Sequence, residues 1–76
     1  MHPMARAAYR EGLASSDRTT RLFALRGFRR IERPEPADYA AVKRALEDKN
    51  ETVRHAAGIV IMSPAWQRAY HEWKGR

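Results

Sequence analysis

The chain is expected to be all-α, with five short helices in one small domain, and three observations lead there. Proline or a side-chain capping residue stands at five separate helix starts along the 76 residues. No segment alternates apolar and polar residues over a length that would make a strand. The chain also matches itself when shifted by 33 residues, the mark of a repeated helical unit.

Each helix has its own reason to begin. Proline lacks an N–H and holds φ near the helical value, so it suits the first helical position. It follows His2, Glu35 and Ser63, giving helices at roughly 3–14, 36–48 and 64–74. Asp17 and Asn50 carry side-chain oxygens that can accept from free backbone N–H groups, so they start helices at roughly 17–32 and 50–62. On a wheel of about 100° per residue, the second helix centres its apolar arc on Ala24, Phe28 and Ile31. Phe23 and Leu25 lie at the flanks of that arc. Arg21 falls inside it, and an arginine among apolar positions must be paired to be tolerated.

The 33-residue shift places Ala7 on Ala40, Ala8 on Ala41, Leu13 on Leu46, Thr19 on Thr52, Arg21 on Arg54 and Ala24 on Ala57. The two capping residues, Asp17 and Asn50, also coincide. Residues 46–57, LEDKNETVRHAA, then resemble a HEAT-like repeat, with its pattern L-x-D-x-(D/N)-x-x-V-R-x-x-A across the turn between paired helices. The first unit resembles it more loosely. It keeps Leu13, Asp17, Arg21 and Ala24 but has Ser15 for the turn aspartate and Thr20 for the valine. The resemblance implies an α-solenoid fragment of two HEAT-like hairpins, about 3–32 and 36–62, stacked right-handed, plus a C-terminal capping helix that would be half of a third unit. It also implies structural roles for Asp48, Arg21 and Arg54 as ties between neighbouring repeats.

Composition narrows the function. Fifteen Lys and Arg against nine Asp and Glu leave a formal charge of +6, which favours nucleic acid, acidic proteins or anionic surfaces as partners. There is no cysteine, so a reducing, intracellular (cytoplasmic) compartment is the simpler expectation. The uncharged run 56–67 is too short to span a bilayer, and no membrane partner is expected. Arg6, Arg10 and Glu11 near the start argue against a secretory signal.

A helix-turn-helix reading competes at residues 50–54. A recognition helix must present polar side chains to base edges over two or three turns. Here the next turns are Ala56, Ala57, Gly58, Ile59, Val60, Ile61 and Met62, which suits a helix held between neighbours.

Arg26, Arg29, Arg30 and Arg33 fall at i, i+3, i+4 and i+7, on one face of the second helix. They form either a solvated stripe or an anion-binding surface. The repeat match puts Leu22, Arg26 and Arg29 level with His55, Ile59 and Met62. If the units stack, basic and apolar side chains share one face, which suits a protein partner with acidic and apolar contacts better than a phosphate track. The alternative is that the fifth helix folds over Ile59 and Met62. That helix carries Trp66, Tyr70 and Trp73 on one stripe, either a cap on the core or a contact for a second copy at an exposed repeat end.

For chemistry the chain offers little. His2, His55 and His71 are scattered, Glu51 and His55 make a lone helical pair rather than a metal set, and no Gly-rich phosphate loop or nucleophile motif is present. The expectation is a non-catalytic binding module, an adaptor, inhibitor or accessory protein, with no cofactor or metal. Its partner surface is Leu22, Arg26, Arg29, Arg30, Arg33, His55, Ile59 and Met62. The competing expectation is a nucleic-acid-binding helical protein using the arginine stripe on the phosphate backbone.

Overall fold

The computed structural model describes residues 3–75, with side chains from residue 7 onward; His2 lies outside the described residues. Five helices follow in order: α1 (Pro3–Leu13), α2 (Arg18–Arg29), α3 (Pro36–Ala45), α4 (Glu51–Ile61) and α5 (Pro64–Lys74). No strand occurs among the described residues. No helix is long and apolar enough to cross a membrane. α1 packs on α2 and α3 on α4, while α2 meets α4 and α1 meets α3, so two helical hairpins lie side by side.

Three hydrogen bonds recur in the two turns. Asp17 accepts from the Thr20 amide at 3.0 Å, and Asn50 from the Val53 amide at 3.1 Å. The amide of Asp17 donates to Ser15 Oγ at 3.0 Å, and that of Asn50 to Asp48 Oδ1 at 2.8 Å. Arg21 Nη1 donates to the Ser15 carbonyl at 2.9 Å, as Arg54 Nη1 does to the Asp48 carbonyl at 2.7 Å. All three pairs stand 33 residues apart, and Ser15 takes the part of Asp48 as acceptor.

Helices two and three stop about three residues earlier than the pattern suggests. α2 ends at Arg29, where Arg30 and Ile31 each donate to the carbonyl three residues back. α3 ends at Ala45, where Leu46, Glu47 and Asp48 each donate to the carbonyl three residues back. This tighter turn frees the Asp48 carboxylate to cap the next segment.

The core runs through Leu25, Phe28 and Ile31, Val42 and Ala45, then Val53, Ala57, Val60 and Ile61, and closes on Trp66. Trp66 is fully buried, its indole N–H donating to the Ile31 carbonyl at 3.1 Å and its ring edge-on to Phe28 at 5.8 Å. α5 therefore reaches back to the first hairpin. A third stacked layer would touch only its neighbour, so α5 caps both hairpins rather than continuing them.

Among the described residues, two ion pairs join the hairpins. Arg21, 7% exposed, sets Nε 2.8 Å from Asp48 Oδ2 and donates from Nη2 to Oδ1 at 3.3 Å. Nε is out of line for a hydrogen bond, so that contact is coulombic. The second pair was not foreseen: Arg10 Nη1 lies 2.6 Å from Asp38, a fully buried carboxylate that also accepts from the Glu35 amide. Arg54 departs from its expected role. It is exposed and bonds within its own turn, and it ties no second unit among the described residues.

The hydrogen bond from the Asn50 amide holds the Asp48 carboxyl below the usual carboxylate range; partial burial opposes this, and Arg21 adds to it. A depressed carboxyl contributes stability above its unfolded value and loses it as pH falls through the folded one. Asp48→Ala is thus expected to cost on the order of 3 kcal/mol at neutral pH and to flatten the loss of stability below the ordinary carboxylate range. Urea unfolding at several pH values reads both effects; an unchanged acid limb would contradict this account.

Two glycines give an opposed pair of expectations. A Cβ on Gly27 would overlap the Tyr9 ring, which is itself held edge-on against Phe28. Gly27→Ala should therefore destabilise by roughly 1–3 kcal/mol. At Gly58 the nearest side-chain atom to a new Cβ is Leu46 Cδ2 at 4.0 Å. Gly58→Ala should stabilise by about 0.5–1 kcal/mol, the helical advantage of alanine. Thermal melts of the two variants must move in opposite directions.

Candidate functional site

α2 packs against α4, and the buried faces of both helices turn to the shared core. On α2, Arg26 and Arg29 are exposed, with Arg30 at the C-cap, while Leu22 is half-buried and packs against the core. On α4, His55 is exposed, Ile59 is 41% exposed and Met62 72%. The structure thus leaves the two apolar residues open. Arg33 stands apart from the stripe expected of it. Helix α2 has ended four residues before it, so it lies exposed in the α2–α3 connection.

What keeps α5 off Ile59 and Met62 is its entry turn. Ser63 Oγ donates to the Val60 carbonyl at 2.7 Å, and Gln67 Nε2 donates to the Ile61 carbonyl at 2.8 Å. These satisfy carbonyls at the end of α4 and fix the chain's exit toward Ile31 and Phe28. The aromatic stripe then closes the core from that side. Tyr70 stacks on Tyr39 at 4.9 Å, and Trp73 meets the same ring edge-on at 5.8 Å. Burial, with a smaller effect of Tyr70, pushes the Tyr39 hydroxyl above its ordinary pKa. Tyr70 and Trp73 remain half-buried.

Phe23 corrects the wheel. Only the Leu25 flank of the apolar arc is covered, and Phe23 is 62% exposed, with the Arg26 guanidinium 5.7 Å from its ring centre. Such an exposed cation–π contact is worth about 0.5–1 kcal/mol. It holds Arg26 over an apolar neighbour. The wheel treats both flanks alike, so Phe23 was missed as a surface residue.

Past Arg29 the face runs into a groove of about 890 Å³ between the α2–α3 connection and α5. It is lined by Arg29, Arg33 and Arg68 with Glu32, Glu72 and Trp73 among others. Arg68 is a cation that no repeat position or stripe singled out, since only the path of α5 brings it there. Arg26, Arg29, Arg30 and Arg68 form no ion pair among the described residues. The arrangement can bind anions and apolar groups together. Among the described residues no three His, Asp or Glu side chains gather as a metal would require.

Comparison of the chain with protein-family models, curated proteins and solved structures finds no match.

The face is separable from the fold. Met62→Ser should shift unfolding free energy by no more than about 0.5 kcal/mol, as exposed sites do, and Arg26→Ala by no more than about 1 kcal/mol, the worth of its contact with Phe23. Trp66→Ala should cost roughly 3–5 kcal/mol, a large share of the roughly 5–15 kcal/mol that holds a domain folded. Urea titrations of the three variants check this, and a cost at Met62 approaching that at Trp66 would place it in the core.

Proposed function

We propose that the chain is a small non-catalytic binding module, a pair of HEAT-like hairpins with a capping helix. It engages a protein partner that offers both acidic and apolar side chains. The likeness of the two turns supports the repeat reading. The observation that carries the function is the exposure of Ile59 and Met62, 41% and 72%, at α4, which packs on the helix that carries Arg26 and Arg29 with Arg30 at its C-cap; none of these three arginines forms an ion pair among the described residues. Apolar side chains at the centre of a contact supply most of its affinity, while surrounding charges steer and select. An adaptor, inhibitor or accessory role fits the size. An intracellular setting is proposed on composition alone.

The formal charge of +6 favours a second reading, nucleic-acid binding through the arginines. A phosphate track would be expected to continue the charge, because affinity accrues from phosphates neutralised in turn. Here the surface turns apolar at α4, and that change favours protein.

The test is capture of a partner from lysate of the native cell by the full chain. Ile59→Asp should abolish specific capture while leaving the far-UV circular dichroism unchanged; undiminished capture would sink the reading. In parallel, duplex DNA titrated at low and high salt should bind weakly. Tight binding that falls steeply with salt and with each Arg→Ala would favour nucleic acid instead.

A further inference from the structure

We infer that the edge of α4 around Arg54 is a second docking site, one that takes a partner helix with an aspartate or glutamate in the turn just before it. The molecule contains the template for this contact. Arg21 is oriented by its bond to the Ser15 carbonyl and from there meets the Asp48 carboxylate, in the turn that leads into α4. Arg54 is held by the same bond, to the Asp48 carbonyl. It is exposed and pairs with no carboxylate among the described residues. The two arginines are thus set in the same way, but only one has its acid.

The neighbours of Arg54 suit a helix. The residue at the position of Leu25, which is buried in the first unit, is Gly58, where an added Cβ would have only Leu46 Cδ2 at 4.0 Å for a side-chain neighbour. A backbone can therefore approach closely. The residue at the position of Arg29 is Met62, an exposed and adaptable apolar contact. A cation, a smooth patch and an apolar end in one line along α4 call for a carboxylate followed by apolar helix. A phosphate chain would waste the last two.

A second copy of this chain is a poor occupant. Its first unit carries Ser15 where Asp48 stands in the second, so stacking head to tail would bring a hydroxyl to Arg54 rather than a carboxylate, and the Asp48 of a folded copy is already held by Arg21 of its own chain. Two chains of charge +6 also repel. The occupant is then a different, acidic protein. This contact shares Met62 with the α2–α4 face but does not use Ile59, so Ile59→Asp tells the two apart.

The test uses the isotope-labelled full chain and, as probe, a synthetic peptide of residues 46–62, the turn and helix that already meet Arg21. Signals of Arg54, Gly58 and Met62 should shift saturably on titration. Asp48→Asn in the peptide, or Arg54→Ala in the chain, should weaken binding on the order of tenfold, as loss of a charged hydrogen bond does. Ile59→Asp should leave it little changed. The proposal is overturned if Arg54 does not respond or if the Asn peptide binds equally well. It is also overturned if the shifts fall on Arg21 and Leu25, as they would if the peptide displaced α4 itself. Concentration-dependent self-association in sedimentation that Arg54→Ala abolishes would equally overturn it, since the occupant would then be a second copy.

Discussion

Arg21 and Asp48 form the pair on which the arrangement of the two hairpins depends, because each end of it also sets a local structure. Asp48 accepts from the Asn50 amide and so shapes the entry to α4, while Arg21 donates to the Ser15 carbonyl and so closes the turn before α2. Side-chain exposure is 8% for the arginine and 12% for the aspartate. At that depth a charge without its partner is costly, and the attraction between the two largely goes to offset the cost of burying them. The pair thus fixes how the hairpins meet more than it adds to net stability. Arg10 and Asp38 do the same between α1 and α3.

With that junction fixed, Trp66 decides which surface is left open. Its burial against Phe28 and Ile31 commits α5 to one end of the molecule. Had α5 lain along the outside of α4 instead, Ile59 and Met62 would be core, and the arginines of α2 would have lost these two exposed apolar residues from the neighbouring helix. The candidate face therefore owes its mixed character to a tryptophan that takes no part in it.

Much of the fold was legible because it is locally encoded. Proline positions and the caps Asp17 and Asn50 mark helix starts by the hydrogen bonds they make or omit, and these stand at or within a residue of the observed starts. Helix ends were less legible, since the early stop of α3 follows from the tight turn and the Asp48 side chain rather than from any breaker residue. Arg21 betrayed its partner by standing in an apolar arc. Arg10 did not, because nothing around it in sequence is unusual and its acid is 28 residues away. Likewise the exposure of Met62, of Phe23 and of Arg68 depends on where α5 and the second hairpin lie, which no periodicity states.

The hydrogen bond from Trp66 to Ile31 spans 35 residues, against 27 for Arg21 to Asp48. Most other pairings close within a hairpin. Short-range closure is fast and long-range closure carries the larger entropic cost. The longer of the two closures is thus made by a single indole ring. Were that ring unseated, the buried Phe28 and Ile31 would lose a neighbour that covers them.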